Sequence, residues 1–175
     1  MIALTAPLVL HLADEAATQT LGRQLAGVVR APLLIGLVGE LGTGKTTLVR
    51  ALVQALLPGV RVKSPTYTLI ETYASAHAEL HHLDLYRLRD PAELEDLGIA
   101  DLLTTDAILL VEWPERGGGR LPSLDLELRL GHAHPGRSLA ISATSPAGQA
   151  AWTALKQVVG DEGALTHSSG KSEKR

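Results

Sequence analysis

The chain contains the stretch Gly39-Glu40-Leu41-Gly42-Thr43-Gly44-Lys45-Thr46-Thr47, directly after the apolar run Leu33-Leu34-Ile35-Gly36-Leu37-Val38. A short, wholly apolar run is typical of a strand that is buried on both faces of a sheet. The glycines allow a tight turn that points backbone N–H groups at phosphate oxygens, and a helix that begins there adds its positive dipole end. The order strand, glycine-rich turn, helix therefore predicts a phosphate-binding loop of the Walker A type.

The side chains of this loop predict a nucleotide and magnesium site. Lys45 is placed to reach the β- and γ-phosphates, and the Thr46 hydroxyl is placed to bind Mg²⁺. Such sites need a carboxylate at the end of another strand to help hold the metal. Glu112 directly follows the apolar run 107–111 and is our candidate. The alternative for Glu112 is a solvent-facing residue that merely ends a strand.

Composition sets the class of protein. The chain has 175 residues, of which 45% are hydrophobic and 20% charged, so we predict one globular domain over residues 1–162. Residues 163–175 are polar and rich in Ser and Lys, which predicts a disordered tail. The absence of cysteine excludes a disulfide framework and fits a cytoplasmic protein. The net charge of −3 argues against nucleic-acid binding by the molecule as a whole, so we predict no DNA partner and no large direct RNA footprint, and no run is long enough to span a membrane.

Strand and helix patterns alternate along the chain and predict an α/β fold. We expect helices over 14–28, 46–57, 91–97 and 146–159, and strands over 33–38, 66–73, 79–86, 107–111, 124–130 and 138–144. The strand at 124–130 alternates apolar and charged residues, as an edge strand does.

Three further segments have both a functional and a structural interpretation. Lys63-Ser64-Pro65-Thr66 is equally a γ-phosphate-sensing segment or an ordinary loop. In His82-Leu83-Asp84-Leu85-Tyr86-Arg87, alternate residues share a strand face, so Asp84 can orient an attacking water or contact the metal's water shell. From the residues alone, a solvated charged face is slightly preferred for this segment. The adjacent His81 points the other way. Trp113 either stacks on a nucleotide or partner or, as we prefer, fills core volume.

Together, Gly39 to Thr47, Lys63-Ser64-Pro65-Thr66-Tyr67-Thr68-Leu69, His82 to Arg87 and Glu112-Trp113-Pro114-Glu115 resemble the TsaE family over roughly residues 14–144. The resemblance implies a three-layer P-loop NTPase fold with a central mixed sheet. It implies an ATPase of tRNA threonylcarbamoyladenosine biosynthesis. In that family the threonylcarbamoyl group goes to adenosine 37 of tRNAs reading codons that begin with A. A TsaD–TsaB-type pair performs the transfer, and the ATPase resets this pair between turnovers.

The resemblance also implies roles for individual residues. The residues expected to bind ATP are Gly39, Glu40, Leu41, Gly42, Thr43, Gly44, Lys45, Thr46, Thr47, Arg137 and, near the base, Glu15 with Thr18. Thr46 and Glu112 are expected to hold Mg²⁺. Lys45, Asp84 and the switch-like Thr66 are the catalytic candidates. The expected partners are TsaD- and TsaB-type proteins, with tRNA reached indirectly through that complex.

Two other functions are compatible with these motifs. A small-molecule kinase would need a lid with several arginines, and Arg116 and Arg120 are the candidates for it. A nucleotide-dependent switch without turnover would use the same loop and the same metal residues.

Overall fold

The computed structural model describes residues 6–65, 68–74 and 79–161. These residues form one seven-stranded mixed sheet, whose strands are numbered in chain order as β1 (Leu8–Leu12), β2 (Leu33–Val38), β3 (Ile70–Ala74), β4 (Glu79–Asp84), β5 (Ala107–Glu112), β6 (Leu126–His132) and β7 (Arg137–Ala143). Across the sheet the strand order is β1-β7-β6-β2-β5-β4-β3. The four central strands, β6, β2, β5 and β4, all run parallel to one another. Strand β3 pairs antiparallel with β4, and β7 pairs antiparallel with both β6 and β1. The α/β class predicted from the sequence patterns and the central mixed sheet implied by the resemblance are confirmed.

The helices are α1 (Glu15–Val28), α2 (Lys45–Leu56), α3 (Glu93–Asp96), α4 (Ile99–Leu102) and α5 (Pro146–Asp161), with short 3₁₀ helices at Leu85–Arg87 and Pro114–Gly117. Helices and strands alternate along much of the chain, although α3, for example, is followed by α4 and β6 is followed by β7.

Two hydrophobic clusters, one for each face of the sheet, make the fold three-layered. The larger cluster joins the sheet to the apolar sides of α1, α2 and α5, and includes the fully buried Leu21, Leu48 and Leu155. The smaller cluster lies under the short helices and the loop after β5, and includes Leu94 and Leu109. Because β2 and β5 are covered on both faces, their sequences are apolar throughout.

The register of the central strands brings polar residues to one edge of the sheet. In the parallel pairs, Leu37 of β2 lies opposite Glu112 of β5, and Glu112 lies opposite Asp84 of β4. The carboxyl ends of parallel strands meet at the same edge, and in open α/β sheets ligands bind there. The loop between β2 and α2 begins at this edge.

Several predicted elements differ from the observed ones. The strand β1 was not predicted, and β6 is not an edge strand, because it pairs with both β2 and β7. The strand β3 begins at Ile70 instead of residue 66, and the strand β4 ends at Asp84 because the chain turns there into a 3₁₀ helix. The helix expected over 91–97 is the single turn α3 followed, beyond Gly98, by α4.

Two predictions fall on parts of the chain outside the described residues. These are the switch-like role of Thr66 and the disordered tail at 163–175, so the boundary at residue 162 stays a prediction. Among the described residues, no helix combines the length and the apolar character that crossing a membrane requires.

Candidate functional site

The loop between β2 and α2 has the backbone of a phosphate cradle. Gly39, Gly42 and Gly44 have φ values of 148°, 77° and 98°, which residues with a side chain rarely adopt. A Cβ on Gly39 would lie 2.2 Å from the carbonyl oxygen of Leu130, so only glycine fits there. Helix α2 begins directly after Gly44 without a side-chain cap. The N–H groups of its first turn are therefore left for an anion.

Lys45 is folded back onto this loop. Its Nζ donates hydrogen bonds to the carbonyl oxygens of Gly39 at 2.6 Å and Glu40 at 2.8 Å. The Thr43 hydroxyl donates to the same Glu40 oxygen at 2.8 Å and braces the turn from inside. Burial lowers the pKa of Lys45, and the negative charges of Glu112 and Asp84 oppose that shift. The ammonium group is thus held, nearly out of solvent, at the centre of the loop.

Glu112 links the loop helix to the neighbouring strands. Its Oε2 accepts a hydrogen bond from the Thr46 hydroxyl at 3.0 Å, and its Oε1 lies 2.9 Å from Nε2 of His82. Both Glu112 and His82 are buried, at 2% and 0% exposure. The solvent-facing alternative for Glu112 and the solvated-face interpretation of His82 are therefore wrong.

Asp84 lies beside Glu112 at the end of β4 and is half-buried. Its Oδ1 accepts the Tyr86 backbone N–H at 3.0 Å and so caps the 3₁₀ helix that follows. Burial raises the pKa of Asp84, the hydrogen bond from Tyr86 opposes the rise, and the charge of Glu112 adds to it. A half-buried carboxylate with a raised pKa beside a second carboxylate is typical of functional sites.

A cavity of about 380 Å³ opens above these groups. Of the predicted site residues, it is lined by Leu41, Gly42, Gly44, Lys45, Thr46, Thr47, Asp84, Glu112 and Arg137. Gly39, Glu40 and Thr43 shape the loop from below. Thr18 is buried, with its hydroxyl directed to the Asp14 carbonyl oxygen at 3.2 Å. Glu15 is exposed on the first turn of α1 and does not line this cavity, so its contact with the base stays a prediction.

Arg137 approaches the loop from the start of β7. A Cβ on Gly44 would lie 3.1 Å from the Arg137 Nε, so the guanidinium stem passes directly over the backbone there. This Nε is buried and has no hydrogen-bond partner. An unpaired buried donor of a cationic group is costly unless an acceptor reaches it. Arg137 therefore adds an unmatched positive group to the phosphate cradle.

Aromatic and cationic side chains form one wall of the cavity. The Lys45 Nζ lies 4.1 Å from the centroid of the Trp113 ring, and the Trp113 ring lies 5.1 Å from that of Tyr86. The Arg116 guanidinium lies 5.1 Å from the Tyr86 centroid on the outside. Trp113 has φ 59° and ψ 48°, a left-handed backbone that costs a non-glycine residue about 1–3 kcal/mol. Strain of this kind is concentrated at functional sites.

Sequence reasoning left Ser64 and Trp113 with two interpretations each and gave Tyr86 and Arg87 no role in the site. The cavity is also lined by Ser64, Tyr86, Arg87 and Trp113, and His82 supports it from below. The alternation of polar and apolar residues in this strand correctly placed His82 on the same face as Asp84. It did not indicate that His82 is buried. A buried hydrogen-bonded pair between strands 30 residues apart has no local signal.

The donor set suits Mg²⁺ bound together with phosphates. Across residues 6–65, 68–74 and 79–161, no group of three or more His, Cys, Asp or Glu side chains is arranged to hold a metal by itself. Mg²⁺ commonly uses one or two protein oxygens and takes the others from phosphates and water. The Thr46 hydroxyl and the Glu112 carboxylate, adjacent to the phosphate cradle, fit that pattern.

Comparisons with known proteins agree with this geometry. The family model described as "Threonylcarbamoyl adenosine biosynthesis protein TsaE" matches residues 12–139. A TsaE protein of Haemophilus influenzae is 38% identical over 144 residues, covering 79% of this chain and 91% of that protein. One of Streptomyces coelicolor is 42% identical over 118 residues, covering 65% and 78%. The crystal structure of Bacillus subtilis YdiB has the same fold, with a TM-score of 0.75 at 21% identity over 91% of this chain and 99% of that one.

Proposed function

The chain belongs to the TsaE family of tRNA threonylcarbamoyladenosine biosynthesis, and from this premise we propose that it is a Mg²⁺-dependent ATPase. The hydrolysis supports formation of the threonylcarbamoyl group on adenosine 37 of tRNAs that read codons beginning with A. The chain acts on a TsaD–TsaB-type transferase and reaches tRNA through that complex, in the cytoplasm. One observation carries the proposal: Lys45, Thr46 and Glu112 converge beneath an uncapped helix N-terminus.

Each group of the site has a part in this proposal. The loop amides, Lys45 and Arg137 bind the phosphates. The Thr46 hydroxyl and the Glu112 carboxylate hold Mg²⁺, which when bound neutralises the charge that develops on the β- and γ-phosphate oxygens. Asp84 orients the attacking water or the metal's water shell from the next strand. Thr66, which precedes β3 in the sequence, responds to the γ-phosphate.

The Lys45 ammonium group has enough N–H donors to contact the loop and a phosphate at the same time. Its three N–H donors exceed the two loop carbonyls it now contacts. The Nζ also lies 4.1 Å from the centroid of Trp113, which lines the cavity, so the ammonium group borders the space where a phosphate would bind. The side chain can therefore bind a phosphate oxygen while it keeps the loop folded.

The test is Mg²⁺-dependent ATP hydrolysis by the protein alone, and then with a TsaD–TsaB pair and substrate tRNA. We expect multiple rounds of tRNA modification only when this chain and ATP are both present. The assigned role would be refuted if the partners did not change the rate of ATP hydrolysis and multiple rounds of tRNA modification occurred without this chain. Phosphoryl transfer to a metabolite would indicate the kinase alternative. Nucleotide-dependent partner binding without turnover would indicate the switch.

A further inference from the structure

We propose that His82 is a positioning residue for the Glu112 carboxylate and thereby sets the affinity of the site for its divalent cation. This inference rests on the proposed function, because it needs Glu112 as a metal-holding group. His82 does not line the cavity and is fully buried, so it contacts neither nucleotide nor metal. Its effect passes through one hydrogen bond, 2.9 Å long, to Oε1 of Glu112.

The two oxygens of Glu112 have separate partners. Oε1 lies against His82 Nε2 on the β4 side, and Oε2 accepts from the Thr46 hydroxyl on the α2 side. The terminal torsion of a glutamate has a broad, shallow energy profile, so a carboxylate with a single contact turns freely. With both contacts the carboxylate plane is fixed, and Oε2 stays on the side where Thr46 and the phosphate loop meet.

The hydrogen-bond network around His82 assigns its tautomer. The ring Nδ1 is buried and has no hydrogen-bond partner. An orphaned buried N–H is rarer in proteins than an under-used acceptor, so the proton belongs on Nε2, which faces a carboxylate oxygen. His82 is therefore a donor to Glu112. Groups that orient a metal-holding side chain in this way commonly change metal affinity or activity about 10–100-fold when they are removed.

A purely structural role for His82 makes a different prediction. In that case the imidazole only fills space and satisfies a buried charge, and its removal lowers stability without a specific effect on the metal. The neighbouring His81 provides a matched control. It is 3% exposed, points to the opposite face of β4, and lies with Nδ1 3.0 Å from the Thr72 hydroxyl, away from Glu112.

The experiment compares His82→Leu, His82→Gln and His81→Leu in the full chain. Leucine removes the donor, whereas the glutamine side-chain amide places an N–H close to the position of the histidine Nε2. Binding of Mn²⁺ to the protein saturated with ADP is followed by electron paramagnetic resonance. ADP affinity without metal is measured by calorimetry, and thermal unfolding is measured for each variant. Asparagine is too short to reach Glu112, so His82→Asn replaces His82→Leu if the latter does not fold.

We expect His82→Leu to weaken Mn²⁺ binding about tenfold or more and His82→Gln to stay within about threefold of the wild type. His81→Leu should lose stability but keep wild-type Mn²⁺ affinity, and metal-free ADP binding should be unchanged in all variants. Wild-type Mn²⁺ affinity in His82→Leu overturns the inference. So does an equal loss in His82→Gln or in His81→Leu. Absence of nucleotide-dependent Mn²⁺ binding in the wild type would instead refute the proposed function.

Discussion

Each of the two tryptophans of the chain has a lysine ammonium group close to its ring, but the two pairs lie in different regions and have different surroundings. Trp113 directly follows β5, and its ring centroid lies 4.1 Å from the Nζ of Lys45, which is 5% exposed and also contacts two loop carbonyls. On α5, the exposed Lys156 lies 5.2 Å from the Trp152 centroid, and the Trp152 Nε1 donates to the Ile141 carbonyl oxygen at 3.2 Å. The same residue types thus lie in the proposed nucleotide site in one region and in a packing contact in the other. Burial of charge distinguishes them.

The sharpest test of this comparison is Lys45→Ala against Lys156→Ala. Loss of Lys45 removes the cation expected at the phosphates and two hydrogen bonds that close the loop. We expect kcat/KM for ATP to fall about 1000-fold, near 4 kcal/mol, the upper range for removing one electrostatic contact to a transition state. Lys156→Ala should leave steady-state hydrolysis unchanged. Activity retained in Lys45→Ala would remove the phosphate-loop assignment.

The packing region should respond in stability alone. Leu155 lies next to Lys156 on α5, is 1% exposed, and belongs to the core shared with α1. Leu155→Ala should lower the free energy of unfolding by about 3 kcal/mol, within the range for a buried leucine that leaves a cavity. Urea unfolding measures the loss, and calorimetry at 25 °C should show unchanged ADP affinity. A tenfold weaker ADP affinity in the folded variant would mean that the two regions are coupled.

Glu112→Ala should affect metal-dependent steps in particular. We expect turnover at saturating Mg²⁺ to fall about 100-fold, comparable to the loss of one preorganised group in an active site. Nucleotide binding without Mg²⁺ should change little. The control is Glu127→Ala on β6, whose carboxylate pairs with Arg129 at 2.7 Å. A Mg²⁺ titration of ATP hydrolysis measures both variants. Unaltered Mg²⁺ dependence in Glu112→Ala would exclude the metal role.

Asp84→Asn should have the smallest effect and a measurable pH signature. Asparagine keeps an oxygen for the Tyr86 N–H but loses the charge, so ATP should bind while hydrolysis slows about tenfold, below the 10²–10⁴ of a full general base. Since burial raises the pKa of Asp84, the folded state holds the proton more tightly than the unfolded chain. Ionisation of Asp84 therefore destabilises the fold as pH rises through its folded pKa.

Asparagine does not ionise, so Asp84→Asn does not lose stability in this way as the pH rises. Asp84→Asn should be more stable than the wild type at pH 7, and this advantage should vanish as the pH falls below the ordinary value of 3.8. Thermal unfolding across this pH range measures the difference. A variant that is less stable at every pH and binds no ATP would show that Asp84 has a structural role.

Local features made part of the fold predictable. The strand β2, the glycine-rich loop and α2 follow one another without interruption, so residue pattern and turn chemistry agree over a short stretch. The helix predicted over 14–28 also has a local signal, because Asp14 caps α1 and its Oδ1 accepts the Ala17 N–H at 2.8 Å.

Long-range pairing made the rest unpredictable. The alternating pattern of β6 fits an edge strand, but its actual position between β2 and β7 depends on strand order, which no local pattern contains. In the site, Lys45 and Thr46 follow from the motif. The contact between His82 and Glu112 and the left-handed backbone of Trp113 depend on how distant strands meet.

The position of Trp113 between Lys45 and Tyr86 has an optical consequence. Indole fluorescence responds to a nearby ammonium group, and only two tryptophans are present in the chain. Replacing Trp152 by phenylalanine would leave Trp113 as a single emitter whose ring touches the lysine expected to meet the phosphates. Its emission would then report the arrival and departure of nucleotide in stopped-flow mixing, without an attached dye. Trp113 would thus serve as an intrinsic fluorescent probe for the kinetics of nucleotide binding and release.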